Sequence, residues 1–454
     1  MKETVIRFPH GKLKELRETL LSDTSREAFA LLLARTEEIN GHSISVVRGC
    51  RLPSEDDFVR RSSACVDVDR RFFHDAMVEA QRRPDVNTII DVHTHPFTDE
   101  AWFSGQDDND ECNFSRYLTK NALDFKYGSV VFGRRETRAR MIVPSLTGPK
   151  FKYAKVKTQT APEAPPTKSP VALDGGRDGR LSRTVASLGV DTMRLVVNDQ
   201  RIVLAGVGGL GSAMAENLVH MGFGHIVLID HDVLEESNLN RFVGGTYEAA
   251  QRRRPKVDVV ADHLRGINPS VMVEKVSADV DSPAAEEQMA LSDFIMVSTD
   301  NATSRYHVQK ISLKYGVPLI SAGVNITVAK DEDGGHLLVD RSGEVITIRL
   351  GDGYCLNCLG RIRQADMAYE SHPDPEVREK TLARGYVSGA LVREPAVKTL
   401  NAMVAALAVE SLVNQYDENM VHEPIVVVES HDGACMYPDK STFAMLETGC
   451  ASCL

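Results

Sequence analysis

The stretch QRIVLAGVGGLGSAMAENLVHMGFGHIVLIDHD, residues 200–232, decides how the C-terminal part of the chain folds. It reads as an apolar, branched run, a glycine-rich turn, a helix and a second apolar run: a βαβ unit with a parallel strand pair. Gly206, Gly208, Gly209 and Gly211 let the first strand turn sharply into a helix whose N-terminus can hold phosphate. Asp230 closes the second strand, where an acidic side chain suits ribose hydroxyls. Taken alone, these features fit an NAD(P)-dependent oxidoreductase equally well, because a fold does not fix a function.

The residues that follow separate the two readings. DHDVLEESNLNRF (230–242) supplies Asp232, Asn238 and Arg241 directly after the second strand. RRRPK (252–256) adds Lys256, and VSTDN (297–301) places Asp300 at the end of a later strand. A dehydrogenase has no need of an Asn and an Arg there, whereas a triphosphate does. Cations around phosphate and a carboxylate for Mg²⁺ are the parts that in-line attack at phosphorus requires. The set resembles the ThiF family, which activates ubiquitin-like proteins and sulfur carriers by adenylation. The matching pieces are the glycine loop, SNLNRF, Pro255-Lys256 and STDN. RLSRTVASLG (180–189) is similar to the family's opening, and Arg183 matches the arginine that reaches across a homodimer into the partner's ATP.

That resemblance spans residues 180–454 and implies an α/β, Rossmann-like ThiF fold with a mostly parallel, doubly wound sheet. It places Asp230 on the ribose, Asn238, Arg241, Lys256 and Arg183 on the phosphates, and Asp300 on Mg²⁺. The implied substrates are ATP and a ubiquitin-like or sulfur-carrier protein whose C-terminal glycine carboxylate attacks the α-phosphate. The products are an acyl-adenylate and pyrophosphate.

Eight cysteines in 454 residues do not make a disulfide framework. Four of them form CLNC (Cys355, Cys358) and CASC (Cys450, Cys453), a pairing that reads as a metal site in a reducing compartment, with a redox dithiol as the alternative. The ThiF resemblance implies a closed, four-thiolate structural zinc site. Many members of that family carry a further cysteine after the first pair, which forms a thioester or persulfide. Between Cys358 and Cys435 this chain has none, and Tyr386 and Ser388 stand in that loop. Cys435 reads as a strand-end thiol, and Cys50, Cys65 and Cys112 as core or surface thiols. The run Arg252–Arg254 reads as a solvated helix face.

A second cluster lies upstream, in DVHTHPFTDEAWFSGQDDND (91–110). VNTIIDVHTH reads as a strand, and alternation along it sends His93 and His95 to one face. With Asp107 they offer two imidazoles and a carboxylate, the composition of a catalytic zinc site that keeps one position for water. Zinc there would activate the water and polarise a carbonyl, and Ser104 supplies a hydroxyl for the developing oxyanion. His-x-His-Pro followed by Ser-x-x-Asp resembles the JAMM (JAB/MPN) zinc metalloproteases. By that resemblance Glu27, before the apolar run AFALLLA, is the general base, with Glu37 or Glu38 as substitutes. The resemblance covers about the first 150 residues, an α/β domain, and implies cleavage of a peptide or isopeptide bond after a C-terminal Gly-Gly. Trp102 either lines a substrate groove or simply packs.

The bulk numbers agree with two or three soluble domains: 42% hydrophobic residues, 26% charged and a formal charge of -11. That charge argues against nucleic acid or a membrane surface as a general partner. The first 21 residues hold no apolar run of signal-peptide length and no stretch is long enough to span a bilayer, so the expected location is cytoplasmic. The expected domains are 1–154 and 180–454, joined by a Pro/Thr/Lys/Gly-rich linker at 155–179. REAFALLLAR is ambiguous between helix and strand, FVRRSSACVDVD reads as one strand and RRFFHDAMVEAQRR as a helix.

Together the two halves suggest a hydrolase that exposes a diglycine carboxylate and an enzyme that adenylates it. The setting would be bacterial-type protein conjugation or sulfur-carrier chemistry, with a conjugating enzyme or sulfur donor downstream. The alternative keeps the adenylating half and makes the first half a deconjugase or a binding module.

Overall fold

The structure, a computed structural model, describes residues 2–159, 179–374 and 397–446 together with Glu376, Arg378, Cys450 and Cys453, with short breaks at 64, 122, 145–148, 331–334, 375, 377, 417–419, 421, 432 and 434. It divides into two compact units, Met1–Gln159 with Lys314–Gly316, and Thr160–Leu313 with Val317–Leu454.

The first unit carries β1 (Thr4–Arg7), β2 (Phe29–Ile39), β3 (His42–Arg51), β4 (Phe58–Ser62), β5 (Cys65–Val68), β6 (Thr88–Thr94), β7 (Lys126–Phe132), β8 (Thr137–Val143) and β9 (Lys150–Lys157). Seven of these close a barrel in the order β1-β3-β2-β6-β7-β8-β9, and β9 returns to pair with β1. The ambiguous REAFALLLAR is strand β2. Its apolar run is continuous because the two faces serve two cores: Ala30, Leu32 and Ala34 belong to one, Phe29, Leu31 and Leu33 to the other. FVRRSSACVDVD is not one strand but the hairpin β4–β5, which stands apart from the barrel.

RRFFHDAMVEAQRR forms the helix Arg70–Arg82, capped by the Asp69 side chain, which accepts from the Arg71 N–H. Phe72, Ala76 and Ala80 face the second core at helical spacing. Strands β6 and β7 are parallel, so the chain must cross over between them. The helix Gly105–Lys120 makes that crossover. The expected linker begins inside β9, whose last residues 155–157 pair with β1, so the barrel takes in residues assigned to the linker. Residues 160–178 lie outside the described residues.

The second unit is built on an eight-stranded sheet. Its strands are β10 (Arg201–Ala205), β11 (His225–Ile229), β12 (Met272–Val276), β13 (Phe294–Val297), β14 (Leu319–Lys330), β15 (His336–Ile348), β16 (Ile425–Glu429) and β17 (Cys435–Pro438). The order is β12-β11-β10-β13-β14-β15-β16-β17. The first five are mutually parallel, and the last three add on antiparallel. The helices Gly209–Met221 and Lys398–Val413 contribute Met214, Leu218, Val404 and Ala408 to one core with Ile202, Leu204 and Met296 of the sheet.

The run Arg252–Arg254 is a turn rather than a helix face. The helix Tyr247–Gln251 ends before it, and Arg253 takes φ 47°. Each arginine instead pairs with a carboxylate, on Glu248, Glu235 and Asp262 respectively. Among the described residues no helix is long and apolar enough to cross a membrane.

Candidate functional site

In the second unit, β10 lies between β11 and β13, and the chain changes direction across the sheet at this point. Ligands of open parallel sheets bind at the carboxyl ends of strands where the order reverses. The turn after β10 is built from glycine for steric reasons that differ by position. Gly206 holds φ 88°, and a Cβ there would meet the Thr299 N–H at 3.0 Å. A Cβ on Gly211 would come within 2.0 Å of the Gly206 carbonyl oxygen. A Cβ on Gly209 would strike Asn401 Nδ2 at 2.6 Å and Arg241 Cγ at 2.7 Å. At Gly208, which precedes the first turn of the helix, a Cβ meets nothing within 4 Å. The helix N-terminus is therefore open on that side.

The acidic and basic residues gather around this turn. Asp230 Oδ2 accepts from the Val207 N–H at 2.6 Å and Oδ1 from the Asp232 N–H at 2.8 Å. Burial raises the Asp230 pKa, and the Lys256 charge works against that rise. Lys256 Nζ donates to Asp232 Oδ2 at 2.7 Å. The Asn238 side chain accepts from the Glu235 N–H and so caps a short turn. Arg241 Nη1 donates to the Ser237 carbonyl and to Asn240 Oδ1, both at 3.0 Å. Ser298 Oγ donates to the Gly206 carbonyl at 3.0 Å, which brings the end of β13 against the turn, and Asp300 follows there, exposed. Arg183 is exposed on the helix Ser182–Leu188 and touches none of these groups by hydrogen bond or ion pair among the described residues.

The four remote cysteines do converge. Cys355 Sγ lies 3.6 Å from Cys358 Sγ and 3.8 Å from Cys450 Sγ, and Cys358 Sγ lies 3.5 Å from Cys453 Sγ. Burial pushes the Cys355 thiol up to about 11. A thiolate there is stable only beside a cation, and four sulfurs at these spacings fit one tetrahedral ion. Cys435 is exposed on β17 at the sheet edge. Tyr386 and Ser388 lie outside the described residues.

In the first unit, Asp91, His93 and His95 succeed one another at alternating positions at the end of β6. Phe29 of β2 pairs with His93, so Glu27, buried two residues before Phe29, lies at the same end. Glu37 and Glu38 sit at the opposite end of β2, paired with Ile44 and Ser43, which removes both as candidates. The His93, His95 and Asp107 ligand atoms all fall within 4.8 Å of one another. His93 Nε2 lies 3.3 Å from Asp107 Oδ1, close enough for an ion pair but not aligned for a hydrogen bond. His93 Nε2 and His95 Nδ1 are both buried without a hydrogen-bond partner. Orphaned nitrogens beside a carboxylate are the donor set a zinc ion takes.

Burial and two carboxylates set the electrostatics of this cluster. Burial opposes a charge on His93, but Asp107 and Asp91 outweigh it and push the ring up to about 10. Burial pushes His95 the other way, to about 4, and Glu27 up to about 7. Asp107 also shapes the backbone: its Oδ2 accepts from the Ser104 N–H while Ser104 Oγ accepts from the Asp107 N–H, a capping box on the helix Gly105–Lys120. Trp102 packs 5.0 Å from the His95 ring and Phe97 stacks on that ring at 5.9 Å, so the tryptophan both packs and borders the site. Glu27, His93, His95, Ser104 and Asp107 line one cavity of about 840 Å³, whose wall includes Phe73 and Phe114.

Two groups escaped sequence reading. Asp91 Oδ2 lies 3.6 Å from His93 Nδ1, and its carboxylate is fixed by Tyr127 OH at 2.5 Å and Ser129 Oγ at 2.9 Å. The signal was present in the alternation Asp91, His93, His95. Asn401, in the helix Lys398–Val413, left only one trace, a polar residue in an apolar run.

Known proteins resemble this chain over part of its length. The SAMP-activating enzyme E1 of Haloferax volcanii is 33% identical over 159 residues, 35% of this chain and 53% of that protein. The adenylyltransferase and sulfurtransferase UBA4 of Yarrowia lipolytica is 27% identical over 244 residues, 54% of this chain and 53% of that protein. The molybdopterin-synthase adenylyltransferase of Escherichia coli is 28% identical over 167 residues, 37% of this chain and 61% of that protein. The chain thus matches little more than half the length of these relatives. Among solved structures, E. coli MccB with ATP aligns over 93% of this chain and 99% of that one, with 15% identity and a TM-score of 0.46. The ThiF family profile matches residues 181–427, more than half of the chain, and the chain belongs to the ThiF family.

Proposed function

We propose that this chain adenylates the C-terminal carboxylate of a ubiquitin-like or sulfur-carrier protein, and that its first unit is a zinc-dependent peptidase acting after the diglycine of such a tail. The observation that carries the first part is the gathering of the glycine turn, Asp230, Asp232, Lys256, Arg241 and Asp300 at the carboxyl ends of β10, β11 and β13. The chain's similarity to a SAMP-activating enzyme and to a molybdopterin-synthase adenylyltransferase supports it.

The open helix N-terminus at Gly208 receives phosphate through backbone N–H groups and the helix dipole. Asp230, already held by two N–H groups, keeps lone pairs for ribose hydroxyls. Lys256 and Arg241 neutralise the triphosphate, with Asn238 beside them; Asp300 would hold a Mg²⁺ ion, which would supply positive charge against the leaving pyrophosphate. A carboxylate oxygen of the tail forms a bond to the α-phosphorus while the bond to the bridging oxygen breaks. Pyrophosphate departs, and no proton is transferred. Arg183 completes the site from a second copy in a homodimer. The four cysteines hold a structural zinc ion, and their Cys-x-x-Cys pairing supports a reducing, cytoplasmic setting. With no cysteine between Cys358 and Cys435, the acyl-adenylate itself is passed to a conjugating enzyme or sulfur donor.

For the first unit, His93, His95 and Asp107 would hold the zinc ion, and the two orphaned histidine nitrogens support that assignment. Zinc in that place supplies Lewis-acid polarisation of the scissile carbonyl. Glu27 takes a proton from the attacking water and returns it to the leaving amine, and the Ser104 hydroxyl donates to the carbonyl oxygen.

Incubation with ATP, Mg²⁺ and a carrier protein ending in Gly-Gly should add one adenylyl group to the carrier, read by intact mass. Lys256→Ala should abolish that addition. A carrier left unmodified by the wild-type chain, with NADH bound instead, would overturn the proposal.

A further inference from the structure

The inference concerns Asn401 and rests on the nucleotide-site reading above. Asn401 lies in the first turn of the helix Lys398–Val413, among Leu400, Val404 and Ala405 of the large core. It is 4% exposed, and its Oδ1 is buried with no hydrogen-bond partner. An unpaired amide oxygen among apolar side chains is costly and calls for a reason.

Its surroundings supply one. The Asn401 Nδ2 and the Arg241 stem crowd the same point, the space a Cβ on Gly209 would occupy. Gly209 opens the helix that receives phosphate, so the orphaned amide sits beside both the helix N-terminus and an arginine of the triphosphate site. In this state Arg241 spends Nη1 on Ser237 and Asn240, away from the turn, and its Nε and Nη2 carry no hydrogen bond among the described residues.

We propose that Asn401 is a positioning residue for Arg241. When a triphosphate draws the guanidinium from Ser237 and Asn240 toward the helix N-terminus, the Asn401 amide turns over, so that Oδ1 replaces the Nδ2 now at this point and accepts an N–H from it. The guanidinium is then held at its stem side by Asn401 while its other face meets phosphate. Asn401 is the acceptor that Arg241 lacks on that side, and the unpaired oxygen is the vacant half of the pair.

The test is ATP binding to the full chain, measured by titration calorimetry without any partner or turnover, alongside thermal melts. Asn401→Leu, near in shape and without polar atoms, should weaken ATP binding about tenfold or more, the weight of a hydrogen bond to a charged group. Its melting temperature should stay the same or rise. Asn401→Ala should weaken binding alike, which covers a Leu variant that packs badly. Arg241→Ala should also weaken ATP, and the double variant Asn401→Leu/Arg241→Ala should bind no worse than Arg241→Ala alone. Wild-type affinity in both Asn401 variants would overturn the inference, as would losses that multiply in the double variant; the latter points to a buried water or a purely structural amide. A wild-type chain that binds no ATP would instead sink the nucleotide-site reading.

Discussion

Asp107 divides one carboxylate between two tasks: Oδ2 caps the helix Gly105–Lys120 and Oδ1 faces His93. The Ser-x-x-Asp spacing is thus at once a capping box and part of the proposed zinc site, which explains why the sequence alone cannot separate a structural from a catalytic reading there. Substitution can. Asp107→Asn keeps an oxygen for the Ser104 N–H but loses the charge, so helix content should persist while zinc falls from about two ions per chain to about one. Unchanged metal content, measured by atomic emission, would count against the first-unit site. Asp91→Asn should lower zinc affinity there by roughly 10–100-fold, because Asp91 orients the His93 ring from behind. The glycine loop gives a second residue-level contrast. Gly211→Ala places a Cβ 2.0 Å from a carbonyl oxygen and should destabilise the unit by roughly 1–3 kcal/mol or more. Gly208→Ala meets no protein atom, so it should fold normally and lose nucleotide affinity only. Equal melting temperatures for the two variants would contradict this division.

At the scale of elements, legibility followed how many faces a segment buries. The βαβ unit at 200–232 was readable because its glycines and apolar runs admit one backbone path, now seen as β10, a helix and β11. Strand β2 was not, because both of its faces are buried and the alternation that marks a strand is lost. FVRRSSACVDVD concealed a hairpin because its turn, near Ser63, offers only serine, a weaker turn former than glycine, proline or asparagine. The Arg252–Arg254 turn was hidden likewise, since Arg253 occupies a left-handed backbone position that favours glycine. Of the candidate sites, the sequence motifs name residues that the structure brings close together, and the groups that support them went unnamed. Tyr127, Ser129 and Asn401 act through distances that no local pattern encodes, whereas Asp91 shares the alternation of His93 and His95. The capping box makes its own prediction: Ser104→Ala should cost about 1 kcal/mol, measured by denaturant titration. A loss indistinguishable from zero would mean that the cap adds nothing to the helix.

Over the whole molecule, the two units own separate hydrophobic cores and separate candidate sites. His95→Ala should therefore end tail cleavage and leave adenylation of a mature partner intact, and Asp300→Ala should do the reverse. Loss of both functions in either variant would mean that the sites are not independent. If both sites work on one tail, a partner extended beyond its diglycine becomes a substrate for adenylation only after cleavage.

The measurement that bears most directly on the central claim is ATP–pyrophosphate exchange with a mature partner ending in Gly-Gly, comparing the wild-type chain with Asp300→Ala. Among the described residues the exposed Asp300 makes only a 3.4 Å contact with its neighbour Asn301, so its loss should leave the fold intact. Adenylation predicts exchange that requires the partner and falls at least a hundredfold, about 2.7 kcal/mol, in the variant. Exchange that proceeds without the partner, or that survives Asp300→Ala unchanged, would contradict it.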